Sequence, residues 1–200
     1  MGKKENDDLL KVIEEYTEKI VKNPNNIDYY IDRGDIYFSI REFEKALKDY
    51  SRVIELSSYS NSTKGKYYRD RGYIYYCLKE YKKAIEDFSK AIELEPTDRD
   101  YHNNRGNAYY YLKEYKKAIE DYSRAIELSP YSVVFRGDYY CNRGNAYYYL
   151  KEYERAMEDY SHVLEINPNC EEAENLKKLI SGDFDSNFKK HRKQEQLDNF

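Results

Sequence analysis

Lys116-Lys-Ala-Ile-Glu-Asp-Tyr-Ser-Arg-Ala-Ile-Glu-Leu128 sets Ala118, Ile119, Tyr122, Ala125 and Ile126 at helical spacing with charged residues between them, the pattern of a helix that buries one face. The phrase recurs without internal gaps at Glu44 to Leu56, Lys82 to Leu94 and Glu154 to Ile166, at offsets of 38, 34 and 38 residues. Self-similarity at such a period marks a repeat array, in which each unit covers its neighbour's apolar face. Ahead of each copy lies an aromatic-rich segment with an Arg-Gly pair, at Arg33-Gly34, Arg71-Gly72, Arg105-Gly106 and Arg143-Gly144. All four prolines, Pro24, Pro96, Pro130 and Pro168, fall in one phase of the repeat.

In the third copy Tyr101, Ala108, Tyr109 and Leu112 mark a first helix, and the quoted phrase forms a second. The link from Leu112 to Tyr115 leaves room only for a tight turn, so the two helices run antiparallel. Proline then ends the second helix, because it lacks the amide hydrogen that the helical ladder needs. The four glycines fall mid-helix, where each costs about 1 kcal/mol relative to alanine. Close approach of first-helix Gly to second-helix Ala, with rings filling the grooves beside them, has to offset that cost.

Copy by copy, the positions are Tyr30, Gly34, Tyr37, Ala46, Tyr50 and Val53; Tyr68, Gly72, Tyr75, Ala84, Phe88, Ala91 and Pro96; His102, Gly106, Tyr109, Ala118, Tyr122, Ala125 and Pro130; and Tyr140, Gly144, Tyr147, Ala156, Tyr160, Val163 and Pro168. Ser58 stands in the first copy where proline is expected. This pattern resembles the tetratricopeptide repeat (TPR) family. The resemblance implies an all-α fold, a right-handed α-solenoid of antiparallel helical hairpins (a TPR-like superhelix), with the first helices along a concave face. Expected boundaries are an N-terminal capping helix over 1–23, repeats over 24–58, 59–97, 98–131 and 132–169, a C-terminal capping helix over 170–182 and a charged tail over 183–200. The first cap carries Val12, Tyr16 and Ile20 in the phase of a second helix. In the two 38-residue periods four extra residues sit between hairpins, about one α-turn, which would lengthen a helix without rotating its apolar face. Val133-Val134-Phe135, in the second insertion, is expected either to tuck onto the adjacent hairpin or to serve as a contact point.

One departure from the family recurs in every copy. The residue before the glycine is Arg33, Arg71, Arg105 or Arg143, and an aspartate precedes the second-helix aromatic at Asp49, Asp87, Asp121 and Asp159. Either these pair across the hairpin, or the arginines snorkel to water.

Composition narrows the function. Lys and Arg number 34 against 38 Asp and Glu, a net charge of −4, so no general positive field draws the chain to nucleic acid or anionic lipid. The polar, highly charged composition is balanced by 26 tyrosines and seven phenylalanines, whose rings bury area while each phenol keeps a polar tip. Cys77, Cys141 and Cys170 form no disulfide framework or Cys-x-x-Cys pair, pointing to a reducing, cytoplasmic setting. Gly2 lacks the Ser or Thr at residue 6 that myristoylation favours, since Asn6 stands there. The tail cluster Lys189 to Lys193 is a weak basic signal. His102, His162 and His191 make no metal-ligand spacing and no phosphate loop occurs, so neither catalysis nor any cofactor is expected.

Surface is what remains. Groove positions lie six, three and two residues before each glycine and one, four and five after it. Candidate peptide-binding residues are accordingly Asp32, Asp35, Arg69, Asp70, Tyr73, Asn104, Asn107, Tyr111, Asn142, Asn145 and Tyr149. Asn side chains donate and accept, so a row of them can pair with a peptide backbone; similar rows occur in peptide-binding members of the family. Members that grip acidic chaperone tails use Lys, Asn, Asn, Lys and Arg, in that order, at positions where this chain offers Arg69, Tyr73, Asn104, Asp138 and Asn142, and only Arg69 and Asn104 fit. Groove acids (Asp28, Asp32, Asp35, Asp70, Asp100, Asp138) outnumber bases (Lys66, Arg69), which favours a neutral to basic extended segment. The expected function is a non-catalytic protein-interaction scaffold; self-association through the solenoid ends is the alternative.

Overall fold

A computed structural model describes residues 3–56, 61–129 and 133–182, the side chains of 3–7, 61–63 and 133–135 excepted. Gly2, Ser58, Pro130 and the cluster Lys189 to Lys193 lie outside the described residues, as do the side chains of Asn6 and of Val133 to Phe135. The described residues are helical, with no strand among them: α1 (Lys3–Lys22), α2 (Ile27–Ser39), α3 (Phe43–Leu56), α4 (Asn61–Cys77), α5 (Tyr81–Leu94), α6 (Arg99–Tyr111), α7 (Tyr115–Glu127), α8 (Val133–Tyr149), α9 (Tyr153–Ile166) and α10 (171–182). They divide into two compact units, Met1–Tyr111 and Leu112–Phe200. In the first, α1 packs on α2, α2 and α3 form a hairpin, α4 and α5 form another, and α6 packs on α5. In the second, α7 packs on the α8/α9 hairpin, and Ala173, Leu176 and Ile180 of α10 close the core around Tyr160 and Val163.

The two insertions extend first helices. α4 and α8 have 17 residues where α2 and α6 have 13, one added turn that leaves the apolar face in register.

Each hairpin turn ends its first helix in a Schellman geometry. The Lys79 amide donates to the Tyr76 carbonyl at 2.9 Å and the Glu80 amide to the Tyr75 carbonyl at 2.8 Å, and the same pair of bonds recurs at Arg41/Glu42 and Lys151/Glu152. The geometry holds Arg41, Lys79 and Lys151 at φ of 61 to 64°, a region that costs a side-chain-bearing residue of order 1 kcal/mol and glycine almost nothing. Lys79→Gly is therefore expected to stabilise the first unit by about 0.5 to 1 kcal/mol, read as a higher urea midpoint with an unchanged slope.

Arg33, Arg71 and Arg143 pair rather than snorkel. Arg33 grips Asp49 through Nε at 2.9 Å and Nη2 at 2.7 Å, Arg71 grips Asp87 at 2.7 Å through both nitrogens, and Arg143 grips Asp159 at 2.9 and 2.8 Å. Arg105 and Asp121 belong to different units. The remaining Nη1 reaches back to the preceding second helix: Arg33 donates to Thr17 at 2.9 Å, Arg71 to Ser51 and Arg105 to Ser89 at 3.1 Å, and Arg143 to Ser123 at 2.9 Å. One guanidinium thus ties a hairpin to itself and to its predecessor. Lys177 of α10 donates to Ser161 at 3.0 Å in the same register, so α1 and α10 share in the repeat's bonding.

Candidate functional site

Three first helices of unit 1 carry the expected groove positions, and glycine decides how their outer face is built. With no Cβ on Gly34, the Tyr50 ring of α3 passes beside α2, 3.2 Å from where that carbon would lie. Its hydroxyl emerges beside the next residue and donates to Asp35 Oδ1 at 2.5 Å. Burial and this carboxylate push the Tyr50 phenol well above its usual range, so it remains a donor. In unit 2 Tyr160 passes Gly144 and donates to Asn145 Oδ1 at 2.7 Å. Phe88 takes this place in the second copy and has no hydroxyl; the residue after Gly72 there is Tyr73, which projects outward at 42% exposure.

Around Asp35 and Tyr50 opens a cleft of about 490 Å³, walled by Phe38 of α2, Lys66, Arg69, Asp70 and Tyr73 of α4, and Asp100, Asn103 and Asn104 of α6. The volume falls within the usual range of ligand sites. Arg69 Nε lies 2.7 Å from Asp70 Oδ1, yet this buried nitrogen makes no hydrogen bond, because its N–H is not aimed at the oxygen. Burial raises the Asp70 carboxyl above the ordinary carboxylate range, and Asp35 adds to the rise, while Arg69 and Lys66 pull against it. In the cleft lining Asp35, Asp70 and Asp100 stand with Lys66 and Arg69, and Asp100 also faces Arg99 at 3.9 Å.

Beside the cleft runs a row of rings. Phe38 meets Tyr73 edge-on at 5.9 Å, Tyr73 stacks on Tyr76 at 6.1 Å, and Tyr76 meets Tyr111 edge-on at 5.5 Å. Tyr111 lies flat on Tyr81 at 5.2 Å and is 54% exposed. In unit 2 Tyr149 stacks on Tyr115 at 5.1 Å and is 55% exposed. Both tyrosines are thus presented by a ring beneath them.

The cleft gathers Asp35, Arg69, Asp70, Tyr73 and Asn104 from the sequence candidates. Asp32 stands outside the cleft lining, and its carboxylate raises the Tyr16 phenol of α1. Asn107 and Tyr111 follow on α6 outside the cleft lining, and Asn142, Asn145 and Tyr149 lie on α8 of the second unit. One cleft residue, Tyr50, a second-helix core ring, escapes sequence reasoning, while Asn103 stands at a groove position, three before Gly106. The readable signal for Tyr50 is the pairing of a tyrosine after the aspartate with a polar residue after the glycine, broken only in the copy with Phe88. His102 is a structural residue, buried with Nε2 3.1 Å from the Pro96 carbonyl. Among the described residues no group of three or more His, Cys, Asp or Glu is arranged to hold a metal ion, and no helix is long and apolar enough to cross a membrane.

Models of the tetratricopeptide repeat match residues 27–59, 100–132 and 137–170, and a TPR repeat model matches 72–112. No curated protein sequence matches the chain. Among solved structures, MamA is similar at 23% identity and TM-score 0.72, over 83% of this chain and 92% of that one. YrrB, described as a TPR protein with an unusual peptide-binding site, is similar at 18% identity and TM-score 0.73, over 88% and 86%. The first TPR of Spaghetti (RPAP3), bound to the HSP90 peptide SRMEEVD, is 30% identical with TM-score 0.58, over 64% of this chain and 98% of that one. These likenesses give the fold class as an all-α TPR solenoid.

Proposed function

The chain belongs to the tetratricopeptide repeat family, and from that premise we propose that it is a non-catalytic interaction module, a cytoplasmic scaffold that holds an extended, neutral to basic peptide segment against its first helices. The observation that carries the reading is the cleft of unit 1, where Tyr73 and Asp35 are exposed beside Asn104 on helices fixed by buried Arg-Asp pairs. Such a frame binds without first having to be ordered, which leaves more of the contact energy as affinity. The peptide bound to the Spaghetti repeat and the peptide-binding site of YrrB support the ligand class. An acidic tail is the poorer fit, because Asp35, Asp70 and Asp100 share the cleft with only Lys66 and Arg69.

Affinity capture from source lysate with the wild type beside Tyr73→Ala/Asn104→Ala tests this. Prey recovered by the wild type and lost by the variant is the expected result, with unchanged circular dichroism for both. Equal recovery would move the site elsewhere, and a concentration-dependent mass in light scattering would favour self-association instead.

A further inference from the structure

The cleft holds a feature that a general peptide groove does not need: two carboxylates on neighbouring first helices, close enough for Asp35 to bear on the ionisation of Asp70, in one lining with two rings. Resting on the peptide-binding reading above, we propose that this is a guanidinium subsite, which takes one arginine side chain of the bound segment between Asp35 and Asp70, against Phe38 and Tyr73. Four observations lead there.

Asp35 gives Oδ1 to the Tyr50 hydroxyl, and a carboxylate has about four acceptor positions, so it can take two further N–H donors without losing that bond. Asp70 is half-buried and holds Arg69 in a poorly aimed contact, with a buried Nε that makes no hydrogen bond. The Arg69 Nε contact does not give Asp70 a paired N–H fork, which a guanidinium free to orient can offer the carboxylate. Phe38 and Tyr73 meet at 5.9 Å on the cleft wall, and Tyr73 is 42% exposed. A planar guanidinium stacks on such rings, whereas an ammonium is a compact, strongly hydrated point charge, so arginine is favoured over lysine. Further carboxylates surround it: Asp100, which faces Arg99 at 3.9 Å, shares the cleft, and Glu95 and Asp98 line a second hollow that shares Lys66, Arg69 and Asp100 with it. Asn103 and Asn104 flank the cleft on α6, where an amide can meet the ligand's backbone on either side of the arginine.

Arg69 is the in-house competitor in this arrangement. Its removal frees Asp70 and subtracts a like charge, so Arg69→Ala is expected to strengthen binding of an arginine peptide about threefold to tenfold. Damage to the fold weakens binding, so a gain separates the subsite from a structural effect. Asp35→Asn and Asp70→Asn are each expected to weaken it about tenfold or more.

The probe is a phage-displayed library of random nonapeptides selected on the full chain, followed by synthesis of the strongest sequence with arginine, citrulline or glutamate at its most enriched position. Citrulline keeps the planar shape and loses the charge. The expected result is one enriched basic position, at least tenfold loss with citrulline, greater loss with glutamate, and tighter binding to Arg69→Ala by fluorescence anisotropy. Selected peptides with no basic position, or peptides lost on Tyr73→Ala/Asn104→Ala but indifferent to Asp35→Asn and Asp70→Asn, would overturn the subsite and leave the groove reading intact. Failure to select any peptide would overturn both.

Discussion

Arg71→Met is expected to destabilise the first unit by about 3 kcal/mol or more, because it strands Asp87 in the hairpin interface. Asp87 is 5% exposed and takes both of its close donors from Arg71 at 2.7 Å. Breaking a buried ion pair from one side leaves an uncompensated charge at a typical cost of 3 to 5 kcal/mol. The Ser51 hydroxyl of α3 also loses its donor, so the contact between successive hairpins weakens along with the hairpin itself. Asp87→Leu is expected to cost a similar amount by the converse route, leaving a guanidinium only 20% exposed. The double change Arg71→Met/Asp87→Leu is expected to recover most of the loss, since an apolar pair of similar volume carries no desolvation cost. Urea unfolding of all four proteins by circular dichroism gives the coupling energy directly. Single changes costing under about 0.5 kcal/mol would mean that water screens the pair, and the arginines would then be surface residues.

These pairs were half legible in the sequence. Arginine and aspartate stand at a constant separation of 16 residues, Arg33 with Asp49, Arg71 with Asp87 and Arg143 with Asp159, and a charge repeated beside a packed glycine calls for a partner. The third donor was not legible. Ser51, Ser89 and Ser123 look like ordinary surface hydroxyls one position past the core aromatic, and only stacking of successive hairpins brings them within 3.1 Å of an arginine. The candidate site divides in the same way. Helical phase put Asp35, Arg69, Asp70, Tyr73 and Asn104 on one face because first-helix positions need only the 3.6-residue period. Asp32 left that set because it lies toward α1, where its carboxylate acts on the Tyr16 phenol. Tyr50 was hidden because a core ring reads as wholly buried, and only its pairing with the polar residue after the glycine signals that its hydroxyl crosses to the outer face.

Gly144→Ala is expected to destabilise the second unit by about 1 to 3 kcal/mol, and Gly144→Leu by more, although each replaces glycine inside a helix. Propensity alone favours alanine by about 1 kcal/mol, so the sign depends on whether the neighbours can yield. A Cβ at Gly144 would lie 2.8 Å from Tyr160 Cε1 and 3.2 Å from Asp159 Cβ. The Tyr160 ring is fully buried, with its hydroxyl tied to Asn145 at 2.7 Å, and Asp159 is clamped by Arg143, so neither can retreat without losing a bond. Overpacking of this kind costs about 1 to 3 kcal/mol. Gly72 is nearly as crowded, at 2.9 Å from Phe88 Cε1, but a phenylalanine has no hydroxyl tether. Gly72→Ala is accordingly expected to cost less than Gly144→Ala, and Gly34→Ala, at 3.2 Å from Tyr50, less again. In the added turns the sign reverses: Gly65 has nothing nearer than 3.5 Å and Gly137 only Ile166 at 3.7 Å, so alanine there is expected to gain about 0.5 to 1 kcal/mol. Urea unfolding of the five alanine variants checks the order, and a uniform gain across them would mean that the first-helix glycines are not held there by the rings that cross them.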